Sequence, residues 1–175
     1  MTSRRLPVLV LAALVGVAAG GAGQAPRDAA DGDFVRHMLV HHTRALALGR
    51  LAALRGSDPR VRAFGRRILT EQTPEHDRLS GWVGTLGLSP APAVDAAHAA
   101  GYVTDAQVAA LQRLTGAAFD RQVLLLSASS EQGAVAMART ELADGRYAPA
   151  RALATSISGA PRTEIPQLRA LAAQV

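Results

Sequence analysis

From Asp33 onward one stripe of positions runs Phe34, Met38, His41, Ala45, Leu48 and Ala52, in steps of four, three, four, three and four. That rhythm is one face of an amphipathic α-helix, and His41 is its only polar member. Asp31 or Asp33 is placed to cap the start and Gly56 to end it. Ser57-Asp58-Pro59 then supplies a cap followed by a first-turn proline. A second stripe reads Val61, Phe64, Ile68, Gln72, Glu75, Leu79, Trp82 or Val83, and Leu86, ending at Gly87. The turn between the two helices is so short that they must pack antiparallel.

Residues 89–101 form a Pro/Ala-rich linker. Thr104 or Asp105 caps a short helix through Leu114, and Gly116 closes it. A third helix is predicted from about 117 to 144, ended by Gly145, and a fourth over 148–173. A constant shift of 89 carries His41 to Ser130, Ala45 to Ala134, Leu48 to Met137, Ile68 to Ile157, Glu75 to Glu164 and Leu79 to Leu168. One shift serves both helices of the pair without a gap, which is the mark of a duplication. The expectation is an all-α four-helix bundle over 33–175. It consists of two duplicated antiparallel hairpins, 33–87 and 116–175, joined by a linker, 88–115, that carries the short helix. Pro74, Pro161 and Pro166 fall inside helical patterns, where a proline kinks the helix or divides it.

The first residues read as an address. Residues 1–5 are short and basic, 6–19 apolar, and 20–25 mostly small, the three-part pattern of a secretory signal peptide cleaved near Ala25. An uncleaved anchor is the other reading, but the apolar run falls short of the ~20 residues a span needs. Ser3-Arg4-Arg5 also resembles a twin-arginine export motif, with Pro7 and Val8 where Phe-Leu is usual. Residues 26–32 then read as a flexible tether. The predicted destination is the cell envelope or the medium, with no stable membrane span after cleavage.

Composition narrows the chemistry. Apolar residues make up 49% of the chain but aromatics only 3%, a mix suited to close-packed helices. The formal charge of +5 drops by two when Arg4 and Arg5 leave with the signal. Every positive side chain is arginine, and the arginines are scattered along helix faces rather than clustered among aromatics, which argues against nucleic-acid binding. There is no cysteine. Disulfides, thiolate metal sites, thiol catalysis and a lipoprotein anchor are therefore excluded.

His41, Gln72 and Glu75 occupy stripe positions where the period demands an apolar residue. A buried polar group costs about 1–3 kcal/mol unless partnered. In an antiparallel hairpin turning at Ser57 the three side chains lie at nearly one height. His37 is one turn before His41, His42 flanks it, and Glu71 and His76 flank the facing pair. Imidazole and carboxylate from adjacent helices are how bundles hold a divalent metal. The alternative is a neutral histidine hydrogen-bonded to a buried glutamate, with the other histidines solvated. His98, in the linker, is expected at the surface.

These residues carry a resemblance. Asp33-Phe34, Met38-Leu39-Val40-His41-His42, Ala45 and Leu48 resemble the bacterial family named domain of unknown function 305, whose hallmark is Met-Ile-x-His-His. Ile68, Gln72 and Glu75 are similar to its I-x3-Q-x2-E segment. In the second unit Thr104, Leu111, Gly116, Phe119-Asp120 and the run 133–138 look similar too. The resemblance implies an exported, ferritin-like four-helix bundle and a link to copper binding or tolerance. Here the second unit has Ser130-Glu131 in place of the His-His pair and Pro161 in place of the glutamine, while Glu164 is retained. If the two units share one centre, it contains His41, Glu75 and Glu164, with His42, Gln72 and Glu131 nearby and Met38 close enough to contribute. So oxygen-rich a set suits Cu(II) or Zn(II) better than copper(I).

The expected function is capture or buffering of such an ion in the envelope. A metal-free interaction or structural bundle is the alternative, and a homo-oligomer is compatible with either. A di-metal oxidase is disfavoured, because no glutamate has a histidine three residues later. Ser129 and Ser130 lack an identifiable base, so no enzymatic activity is expected.

Overall fold

The computed structural model describes residues 29–89, 101–159 and 161–175. The expected signal peptide, 1–25, and His98 lie outside them. All regular structure among the described residues is helical: α1 Ala29–Arg55, α2 Pro59–Thr85, α3 Asp105–Gln112, α4 Gly116–Asp144, α5 Ala148–Gly159 and α6 Pro161–Ala172. No helix among them is long and apolar enough to cross a membrane.

The start of α2 follows the local rules. Asp58 is extended and accepts the Arg60 N–H at 2.7 Å, and Pro59 takes a first-turn position where its missing N–H costs nothing. Thr104 and Gln107 form a reciprocal capping box at the head of α3. Gly116 opens α4 at φ 59°, a left-handed backbone that a glycine adopts without strain.

Two expectations are corrected. Helix α1 begins at Ala29, so the end of the expected tether 26–32 is already helical. Asp31 does not cap it; the carboxylate is buried and accepts the backbone N–H groups of Arg146 and Tyr147 at 2.7 and 2.8 Å, pinning the start of α5. The fourth helix expected over 148–173 is described as α5 and α6, on either side of residue 160. Pro74 and Pro166 are contained within α2 and α6.

Helix α1 packs along α2, α4 packs on α5 and α6, and the two groups meet where α1 lies on α4. Contacts recur at the 89-residue offset. As Asp31 of α1 pins the α4–α5 connection, Asp120 of α4 accepts the N–H groups of Ser57 and Asp58 at 2.7–3.1 Å and pins the α1–α2 connection. Arg62 donates to the Gly56 and Ser57 carbonyls, and Arg151 donates to those of Glu141, Leu142 and Gly145.

Two apolar clusters fill the interior. One gathers Leu48, Val61, Phe64, Ile68, Phe119, Val123, Leu124 and Leu168. The other gathers Phe34, Met38, Leu79, Ala134, Tyr147, Leu153 and Ile157. On α1, α2, α4 and the α5–α6 pair, the residues between the two clusters are polar: His41 and His42, Gln72 and Glu75, Ser130 and Glu131, and Glu164.

Candidate metal-binding cavity

That polar layer lines one cavity of about 420 Å³, bounded by His41, His42, Gln72, Glu75, Glu131 and Glu164 together with Arg67, Glu71 and Ser156. Six of the eight residues expected from the sequence are thus brought together. Met38 is not: it is fully buried in the second apolar cluster. Nor is His37, which lines a separate cavity of about 390 Å³ with Asp33, Met137 and Glu141. His76 lies 3.4 Å from Asp77 and away from the cavity.

His41 is buried, and its Nε2 stands 2.8 Å from the Ser130 carbonyl oxygen and 3.1 Å from the Ser130 hydroxyl. Burial and the neighbouring His42 lower its pKa to about 4, so the ring is neutral at physiological pH. A carbonyl only accepts, so the one ring proton sits on Nε2. Nδ1 therefore keeps its lone pair, and it is buried without a hydrogen-bond partner.

His42, not His41, meets Glu75. Its Nε2 is 2.9 Å from Glu75 Oε2, while Nδ1 is 3.1 Å from the Met38 carbonyl one turn back. A metal at Nε2 would replace the contact with Glu75. The rings of His41 and His42 meet edge-on with centroids 6.2 Å apart.

Across the cavity the Gln72 amide N–H donates to Glu131 Oε1 at 3.0 Å, which leaves the buried Gln72 Oε1 without a partner. Burial, with the Glu164 and Glu75 charges added, raises Glu131 to about 7 against the opposing hydrogen bond from Gln72. Burial also pushes Glu164 up. Arg67, which donates to Glu164 Oε1, pulls it back, and Glu71 adds to the rise.

The donor chemistry fits a divalent cation. The residues around it offer one imidazole nitrogen with a free lone pair, one unpartnered amide oxygen and four carboxyl groups. Among the described residues, no three His, Asp or Glu side chains converge as a closed ligand set in this arrangement. Two contributors escaped the sequence reading. The Ser130 backbone carbonyl has no signature in residue type, whereas Arg67 was marked only by its position one turn before Glu71 on α2.

Fold and site define an all-helical bundle with a His/Glu-lined cavity between two apolar clusters. The profile of the family "Domain of unknown function (DUF305)" matches residues 31–172, and the chain belongs to that family. A DUF305 fragment from Deinococcus radiodurans is 30% identical, with a TM-score of 0.76 over 86% of this chain and 99% of that one. A DUF305 protein from Streptomyces coelicolor, described as a candidate secreted protein, is 25% identical, with a TM-score of 0.75 over 83% and 91%. CopM, solved in Cu(I)-bound and Cu(II)-bound forms, is 22% identical with a TM-score of 0.68 over 82% and 96%, a likeness of fold. No curated protein matches the chain.

Proposed function

We propose that the chain is an exported, ferritin-like four-helix bundle that captures or buffers a divalent metal ion, Cu(II) or Zn(II), in the cell envelope. In this reading residues 1–25 are the signal peptide. Two duplicated hairpins, 33–87 and 116–175, joined by 88–115, enclose the cavity. His41 Nδ1 supplies the imidazole ligand, and Glu131, Glu75, Glu164 and Gln72 supply oxygen. The ion is cargo and the chain has no catalytic role. The observation that carries the reading is the buried, unpartnered lone pair of a neutral histidine that lines a cavity with four glutamates. Copper in CopM and the description of the Streptomyces protein support cargo and export respectively.

Dialysed protein titrated calorimetrically with Cu(II) and Zn(II) should bind at micromolar concentration or tighter, and His41→Ala should weaken binding about tenfold or more. Tight binding untouched by that substitution removes His41 from the site. A second reading, a metal-free interaction bundle, is favoured by the lack of three converging ligands among the described residues. It predicts no thermal stabilisation by any divalent ion, whereas a ligand at about 100 times its Kd adds about 2.7 kcal/mol.

A further inference from the structure

Among the described residues that line the central cavity, Arg67 is the only lysine or arginine. Its guanidinium donates to Glu164 Oε1, and its Nε stands 4.0 Å from Glu71 Oε2. The Phe64 ring lies beside it, 5.8 Å from guanidinium carbon to centroid. Arg67 and Glu164 line a second hollow as well, one of about 330 Å³ bounded by Arg60, Phe64 and Leu168. The ion pair therefore stands between the inner cavity and the groove of α2 and α6. Arginine keeps its proton at any working pH, so the charge cannot be switched off. A cation in the cavity meets a fixed like charge, and it must compete with that charge for the Glu164 carboxylate.

We propose that Arg67 is a built-in competitor for the metal, holding the Glu164 carboxylate that a divalent ion would otherwise take and so setting how tightly the ion is held. This rests on the cavity being the metal site. The pair is partly exposed, with Arg67 45% accessible, so it adds little to stability, and its effect is read in binding. The same repulsion makes the cavity select for ions able to compete with a guanidinium for a carboxylate.

The test is calorimetric titration of the whole chain with Zn(II) and with Cu(II), using wild type, Arg67→Gln, Arg67→Lys and Arg66→Gln, and the pair Glu164→Gln and Arg67→Gln/Glu164→Gln. Loss of the charge should tighten binding about fivefold or more, in line with removal of a nearby like charge. Arg67→Lys, which keeps the charge, should stay within about twofold of wild type, as should the exposed Arg66→Gln, since a distant surface charge is screened. Most of the gain should vanish when Arg67→Gln is made on the Glu164→Gln background, because the freed carboxylate is then missing. Unchanged or weaker binding by a folded Arg67→Gln chain overturns the proposal, and so does an equal gain on both backgrounds. Binding by Arg67→Gln but not by wild type supports the competitor and overturns metal capture by the native chain. No binding by either overturns both.

Discussion

His41 and Ser130 are 89 residues apart in the chain and touch, the imidazole Nε2 lying 2.8 Å from the Ser130 carbonyl oxygen. The 89-residue shift read from the sequence relates the same two positions. Asp31 and Asp120, also 89 residues apart, make matching hydrogen bonds to the α4–α5 and α1–α2 connections. The polar layer lies at this meeting point, and its two halves differ: His41 and His42 on one side face Ser130 and Glu131 on the other. The asymmetry replaces imidazole with carboxyl, which in the proposed reading favours Cu(II) or Zn(II) over copper(I).

Stability should pass through a maximum in mildly acidic to neutral solution, because the two buried groups titrate in opposite senses. His41 has its folded pKa lowered from 6.5 to about 4, so its contribution is present above 6.5 and is lost as pH falls toward 4. Glu131 is raised from 4.5 to about 7, so its contribution is present below 4.5 and is lost as pH rises through 7. Glu131→Gln should therefore gain about 2–3 kcal/mol at pH 8 and nothing at pH 4. Urea melts followed by the fluorescence of Trp82, the sole tryptophan, read this directly. An unchanged alkaline limb in Glu131→Gln would place the raised carboxyl elsewhere.

Asp31→Ala and Asp120→Ala should each cost about 2–4 kcal/mol, since each strands two backbone N–H groups at a helix start. The pins lie at opposite ends of α1, about 39 Å apart at 1.5 Å per residue, so the double mutant should be additive within about 0.5 kcal/mol. Chemical denaturation of the single and double variants measures both. A large coupling energy would mean that the two connections unfold as one unit.

Gly65→Ala tests the closeness of α1 and α2. Helix propensity alone would favour alanine by about 1 kcal/mol. A Cβ there would lie 2.4 Å from the Ala53 nitrogen and 2.6 Å from the Gly49 oxygen, both backbone atoms that cannot turn aside. Overpacking of this kind costs about 1–3 kcal/mol and should win, so the thermal midpoint should fall. A rise would show that the helices have room to separate.

Much of the bundle was legible because it is periodic. The stripes from Phe34 to Ala52 and from Val61 to Leu86, the Asp58-Pro59 start and the Thr104 cap are local rules, and they returned α2, α3 and α4 within a few residues. The polar positions on those stripes were equally visible, because a histidine or glutamate where leucine is due stands out against the repeat. Where the rules misled, the partner lay far along the chain. Asp31 reads as a cap for its own helix, yet its acceptor capacity goes to a connection 115 residues away, which no local pattern reveals.

The amino-acid order by itself determined helix class, approximate bounds and the list of polar residues destined for the interior, since each follows from spacing along one helix or between adjacent ones. Pairing within that list was decided by tertiary structure: His42 with Glu75, His41 with a backbone carbonyl, Arg67 with Glu164, and Met38 in the apolar core. The physical reason is that a side chain's direction depends on helix rotation and on the depth of its neighbours. Those quantities are set when four helix faces pack at once, and periodicity along one helix does not encode them.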